Sequence, residues 1–338
     1  MYGEPFGTIP NGEAVERITI SNGHLSARIL TYGATVQDLR LAGHAPPLVL
    51  GFPELEGYLH HSLYFGAIVG RYANRIAGGK FVLDGERFDT DVNDNGNTLH
   101  GGRNGLDRQV WRVKSLGEDF VTLAVDETSG TMGFPGTLSA TCTYRITSTA
   151  ALSVELEATT DKATLCNLAS HGYFNLENGG ASEVLDHRMQ IAAQAYTPVN
   201  ELKVPTGAVM PVEATRFDFV LPRSIRDEGG DGGYDHNYCL AAARGSLRQA
   251  AWVQSDSSGV EMEVWTTEPG LQFFTADAEP PSAVGLDGMH YERSAGFCLE
   301  PQVWPDSPNR PYFPQAILRP GDRYRQHSEY RFRLPREV

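Results

Sequence analysis

Lysine is scarce in this chain: four residues among 338, with Lys+Arg reaching only 28 against 42 Asp+Glu, a formal net charge of -14. Such an excess of acid disfavours a phosphate backbone or an anionic membrane surface, so neither nucleic acid nor membrane is expected as a partner. A small neutral ligand fits better. No apolar run is long enough to cross a bilayer, and the opening Met1-Tyr2-Gly3-Glu4-Pro5-Phe6 has no basic stretch followed by an apolar core. A cytoplasmic, unexported protein is therefore expected. The four cysteines, Cys142, Cys166, Cys239 and Cys298, are widely spaced and form no Cys-x-x-Cys pair. That disfavours a zinc knuckle or a thioredoxin-like site and leaves buried free thiols as the expectation. Neither a phosphate-cradling glycine loop after a strand nor a His-Glu-x-x-His motif occurs, so no nucleotide cofactor and no metal are expected. With no coiled-coil pattern and no interface stripe, a monomer or weak dimer is the default.

What is present is period-two alternation. It runs through Phe120 to Val125, Leu138 to Ile146, Leu152 to Ala158, Val260 to Trp265 and Tyr330 to Leu334, as expected of half-buried strands. Turn clusters such as Ser21-Asn22-Gly23, Leu83-Asp84-Gly85-Glu86 and Ser257-Ser258-Gly259 separate the runs, and 36 Gly with 20 Pro suit many short strands. Helix candidates are few, and Pro53 to Tyr58 promises one short turn at most. No internal repeat and no linker-like stretch is visible. The expectation is an all-β protein, a large antiparallel β-sandwich, with residues 1–338 forming one domain.

Function must come from places where polar residues interrupt the alternation. Glu300 ends the apolar run Gly296-Phe297-Cys298-Leu299-Glu300, where lost hydration would raise its pKa toward that of a general base; a solvated or ion-paired group is the plain alternative. In Gly70-Arg71-Tyr72-Ala73-Asn74-Arg75-Ile76, Asn74 and an arginine can present a fork of donors to vicinal hydroxyls, or the arginines can be structural. Asp91-Val92-Asn93-Asp94-Asn95-Gly96-Asn97-Thr98-Leu99-His100-Gly101-Gly102 copies the first half of a calcium loop, but Gly102 stands where a bidentate Glu is needed, so calcium is rejected. A polar loop delivering His100 between small residues remains, either to a ligand or into local hydrogen bonds.

In Ser170-His171-Gly172-Tyr173-Phe174-Asn175, a partly desolvated imidazole is followed by an aromatic pair; it could exchange a proton near neutral pH or be a satisfied core histidine. The glycine-led turn Gly232-Gly233-Tyr234-Asp235-His236-Asn237-Tyr238 presents Asp235 between tyrosines, a combination suited to sugar hydroxyls and to an apolar sugar face, or to a capped turn. Gln272, an amide within Leu271-Gln272-Phe273-Phe274, would be costly there unless partnered.

Taken in order, these blocks resemble the aldose 1-epimerase (galactose mutarotase) family. Asn-Arg-Ile, Thr-Leu-His-Gly-Gly, His-x-Tyr-Phe-Asn-Leu, Asp-His-Asn-Tyr, Pro-Gly-Leu-Gln-Phe and Leu-Glu-Pro-Gln span most of the chain. The resemblance implies a galactose mutarotase-like supersandwich and a cofactor-independent isomerase that interconverts the α and β anomers of free aldoses. It makes Glu300 the base for the anomeric hydroxyl and His171 the acid for the ring oxygen. It also implies that Asn74, Arg75, His100, Tyr173, Asp235 and Gln272 hold the sugar. Gly172 departs from the pattern, which often has Ser or Thr there, and so puts affinity in question. A non-catalytic sugar-binding module of the same fold is the main alternative. A metal-dependent hydrolase or isomerase using His100, His171, His236 and Glu300 is a third reading.

Overall fold

A computed structural model describes residues 3–61, 63–226, 233–277 and 280–335; Gly232 and the first two residues lie outside that range. The alternation becomes long antiparallel strands. Leu138–Thr147 alternates buried with half-buried or exposed positions along ten residues, and Phe120–Glu127 and Ala151–Thr160 pair with it on either side. Tyr324–Arg333 inserts between Ala151–Thr160 and Glu261–Thr266, within a sheet of nine strands.

A second sheet of six strands runs in the order Tyr173–Phe174, Phe297–Gln302, Gly270–Phe274, Asp235–Cys239, Ala195–Thr197 and Met210–Pro211. A four-stranded sheet is built from Glu4–Thr8, Ala14–Ser21, Leu25–Leu30 and Thr35–Leu41.

The inner faces share one hydrophobic core. Tyr144, Leu156 and Phe332 of the nine-stranded sheet meet Phe273, Phe297 and Leu299 of the six-stranded sheet, with Ile18 and Ile29 from the N-terminal sheet. The Phe174 ring lies 4.9 Å from that of Tyr330, whose hydroxyl donates to the Leu299 carbonyl at 3.1 Å. Each fully buried side chain of this size stabilises the fold by roughly 1.5–3 kcal/mol, so apposition of the sheets is the main source of order. The large antiparallel sandwich expected from the sequence is the observed architecture. All four cysteines are free, and among the described residues no helix is long and apolar enough to cross a membrane.

Two local expectations are corrected. Leu55–His60 is a helix of six residues, longer than a single turn, because Leu55 and Tyr58 point into an aromatic cluster where Tyr58 packs edge-on against Phe52 at 5.3 Å. Glu300 does not end its strand. Phe297–Gln302 continues past it with all six positions buried, because the strand is covered on both faces and its backbone stays paired with Gly270–Phe274. A polar residue in such a strand is held inside rather than released to a turn.

Candidate active site

The edge of the six-stranded sheet and the loops above it enclose a cavity of about 140 Å³ lined by Leu63, Tyr64, Asn74, Arg75, Leu99, His100, His171, Tyr173, Asp235, Phe274 and Glu300. One water needs roughly 10–15 Å³ by the same measure, so the space suits a ligand of about monosaccharide size. Seven of the eight residues that the family resemblance assigns to the site line it, and the eighth, Gln272, is bonded to one of the seven.

At the floor, Glu300 and His171 are buried, and Glu300 Oε2 lies 3.7 Å from His171 Nε2. That separation is too long for a hydrogen bond, and among the described residues Oε2 has no hydrogen-bond partner. Burial first, and then the Asp235 carboxylate, push the Glu300 carboxyl well above its usual range, with Arg75 opposing. Burial pulls His171 down to about 4. Both shifts favour neutral forms, as desolvation does for an acid and a base alike. The sequence argument for a raised Glu300 had the right direction and cause.

His171 comes from a short segment whose backbone is gripped on both sides: its amide donates to the Ala67 carbonyl at 2.9 Å, and its carbonyl accepts from the Gly66 amide at 2.9 Å. Its Nδ1 sits 3.7 Å from Cys298 Sγ, one strand position pair below Glu300. The ring is nearly parallel to Tyr173 at 5.1 Å. Tyr173 belongs to the wall, and its hydroxyl is already committed, donating to the Leu63 carbonyl at 2.7 Å.

The rim is a chain of fixed polar contacts. Asn74 and His100 both have left-handed backbones, with φ of 62° and 52°, a conformation that asparagine and histidine adopt more readily than most side chains. The His100 loop can approach so closely because of Gly101: a Cβ there would lie 2.1 Å from the Gly70 carbonyl oxygen. Arg75 Nε donates to Asp94 Oδ2 at 2.7 Å, and its Nη1 lies 3.5 Å from Asp235 Oδ2. Asp235 Oδ1 accepts from Gln272 Nε2 at 2.6 Å, which partners the Gln272 amino group, while Gln272 Oε1 has no hydrogen-bond partner among the described residues.

His236 does not line the cavity; its ring packs against Phe217 at 4.5 Å, which leaves the metal reading without one of its four ligands. His171, Cys298 and Glu300 do bring ligand atoms within 4.8 Å of one another. However, Nδ1 faces the sulfur while Nε2 faces the carboxylate, so the two shortest approaches use different nitrogens. The sequence reading missed Leu63, Tyr64, Leu99 and Phe274 as lining residues and Asp94 as the partner of Arg75. The only signal for Asp94 was the calcium-like spacing of its loop.

A buried carboxyl and a buried imidazole facing one small cavity, ringed by fixed donors and acceptors on a β-sandwich, make a site suited to moving protons on a polyhydroxylated ligand. The family model for aldose 1-epimerase matches residues 16–331, and the chain belongs to that family. It is 40% identical over 336 residues to galactose mutarotase of Rattus norvegicus, with 97% of each chain covered. To aldose 1-epimerase of Escherichia coli it is 34% identical, over 98% of this chain and 99% of the relative. The structure superposes on an aldose epimerase homologue from C. elegans with a TM-score of 0.89 at 29% identity, covering 96% of this chain and all of the other. For a galactose 1-epimerase from Lactobacillus acidophilus the TM-score is 0.85 at 26% identity, with 98% of each chain covered.

Proposed function

We propose that the protein is an aldose 1-epimerase that interconverts the α and β anomers of free aldoses such as galactose and glucose. The observation that carries this reading is the buried, unpartnered Glu300 Oε2 beside His171 Nε2 in a cavity of monosaccharide size. Glu300 takes the proton from the anomeric hydroxyl while His171 gives one to the ring oxygen, and the ring opens to the aldehyde. After rotation about the bond between the first two carbons, the same groups act in reverse and close the ring on the other face. One proton shared by the pair suffices, and each half-reaction regenerates the starting state for the next.

Burial inverts the usual order of proton affinity in the pair, raising Glu300 and lowering His171, so the single proton rests on Glu300 in the empty cavity and this reading requires the bound sugar to draw it onto His171 before the ring opens. Asn74, Arg75, His100 and Asp235 hold the sugar hydroxyls in this reading, with Gln272 bonded to Asp235 behind them and Tyr173 and Phe274 as apolar wall. Proton transfer to and from two oxygens needs no redox step and no Lewis acid, so cofactor independence is part of the proposal. A single domain is also part of the proposal, because one core draws on residues from Ile18 to Phe332, and so is action in the cytoplasm.

Polarimetry tests the proposal. Freshly dissolved α-galactose or α-glucose should equilibrate many times faster with the protein than without it, and equally fast after exhaustive chelation. Equilibration at the uncatalysed rate would sink the activity, and loss on chelation would sink cofactor independence.

A further inference from the structure

Tyr64 carries no role in the reading above, yet it touches both histidines of the cavity. Its ring centroid lies 4.5 Å from that of His100 and 5.7 Å from that of His171, nearly parallel to the latter at 25°. The two imidazoles meet edge-to-face at 5.1 Å, so the three rings form one packed set. The backbone of Tyr64 has φ of 66°, a left-handed conformation that is unfavourable for a bulky aromatic and is kept only where the surroundings enforce it.

Those surroundings are visible. The Ala67 amide donates to the Tyr64 carbonyl at 3.1 Å, closing a turn, and Gly66 and Ala67 of that turn are the two residues that hold the His171 backbone. Gly66 is required there, since a Cβ would lie 2.1 Å from the Val36 carbonyl oxygen. Behind the ring is a second cavity of only about 20 Å³, shared with Tyr32, Thr35, Tyr58 and Asp107. That is room for about one water and not for a retreating phenol ring.

We propose that Tyr64 is a positioning residue for the proton-transfer site, setting the planes of His171 and His100 and keeping water from His171. The inference rests on the proposed role of His171 as acid. Its chemical basis is geometric: an imidazole transfers a proton in its own plane, so a ring stacked on it fixes the direction of transfer, and misplacement by an ångström can cost about 100-fold. The same stacking keeps the imidazole dry. Other titratable or charged groups near His171 are Glu300 and Cys298 from Phe297–Gln302, Tyr173 beside it in sequence, and His100, with Asp235 and Arg75 beyond Glu300.

The test compares Tyr64→Leu and Tyr64→Phe in the full chain, with Tyr64→Met in reserve if the leucine variant does not fold. Anomer-exchange NMR gives kcat and KM, and the imidazole carbon resonances give the titration of His171. Tyr64→Leu should lower kcat by about 10-fold or more while KM changes little, and His171 should titrate closer to the ordinary histidine value of about 6.5. Tyr64→Phe, which keeps the ring, should restore both. Three results overturn the inference: an unchanged kcat with an unmoved His171 titration in the leucine variant, a loss confined to KM, or a phenylalanine variant as impaired as leucine. If the wild-type protein exchanges no anomers, the functional reading fails, and the titration alone still decides whether Tyr64 controls the imidazole.

Discussion

The backbone amide of Asn74 donates to Nδ1 of His100 at 3.1 Å, and the amide of His100 donates in return to the Asn74 carbonyl at 3.0 Å. This mutual clasp fixes the tautomer. Burial, reinforced by His171 and Arg75, holds His100 well below its ordinary pKa, so the ring is neutral with its lone pair at Nδ1, and Nε2 carries the hydrogen as a donor. His100→Asn can still accept from the Asn74 amide but loses that donor, so KM should rise about 10-fold with the melting temperature nearly kept. His100→Leu orphans the Asn74 amide as well and should also cost about 1–3 kcal/mol of stability. Equal melting temperatures for the two variants would contradict the clasp.

Glu300→Gln separates catalysis from stability. Removing the base should lower kcat by about 100-fold to 10,000-fold. The same change removes a buried carboxyl whose Oε2 has no partner among the described residues, and the fold should gain from it wherever the wild-type carboxyl carries a penalty. The sign of the pH dependence follows from the raised folded-state pKa: below the unfolded value of 4.5 both states are protonated and the wild type pays no penalty. As pH rises from there toward the folded value, the unfolded state ionises first and wild-type stability falls. The melting temperature of Glu300→Gln should therefore approach that of wild type at pH 4 and exceed it at pH 8. A variant less stable than wild type at pH 8 would mean that the carboxylate is paired.

Activity should itself have two limbs. In the proposed mechanism the pair works with one proton between its members. On the acid side, His171, lowered to about 4 by burial, takes up a second proton only in quite acid solution, so kcat/KM should hold through pH 5 and fall near pH 4. On the alkaline side the pair loses its single proton as pH passes the raised Glu300 value. The apparent values belong to the pair and not to either residue. A profile with a midpoint near 6.5 on the acid side would show that His171 is wetter than its burial implies.

Asp94 acts through Arg75. With its 2.7 Å hydrogen bond to Nε, it holds the guanidinium where Nη1 can face Asp235. Asp94→Asn removes the charge but not the shape, and the expected result is a several-fold rise in KM with kcat within about two-fold, because nothing at the proton-transfer pair is touched. Loss of kcat with KM unchanged would instead place Arg75 in the chemistry.

Gly172 has a structural explanation. A Cβ at this position would lie 3.0 Å from two carbons of the Phe174 ring, and that ring is itself wedged against Phe297 and Tyr330. Gly172→Ala should lower stability by about 1–3 kcal/mol through overpacking, read as a lower melting temperature. Gly172→Ser should do the same without recovering affinity, since the space is taken by a neighbour rather than awaiting a hydroxyl. A stabilised serine variant with a lower KM would overturn this.

The fold was legible where strands were long. Leu138–Thr147 and Ala151–Thr160 announce themselves by alternation because one face of each meets the core and the other does not. The site was legible only as separate polar interruptions, since Tyr173–Phe174, Ala169–Ser170 and Ile68–Val69 are strands of two residues and carry no period. Glu300 sits in a strand buried on both faces, where alternation vanishes and nothing local distinguishes an interior carboxyl from a surface one. It was the order of motifs along the whole chain that singled it out. Tyr64 left no trace because its role arises from a left-handed turn and from partners at positions 100 and 171.

The insertion of Tyr324–Arg333 between two earlier strands has a consequence for biosynthesis. The strand bearing Glu300 rests on it: Tyr330 bonds the Leu299 carbonyl, and Gln326 Nε2 donates to the Pro301 carbonyl at 2.9 Å. On a ribosome, the halves of the nine-stranded sheet wait apart until that segment emerges, so the strand that carries Glu300 lacks its support until then. A message truncated before codon 324 would yield a product with an unclosed sheet edge, and chaperones or proteases would meet it as an aggregation hazard rather than as a weakened enzyme.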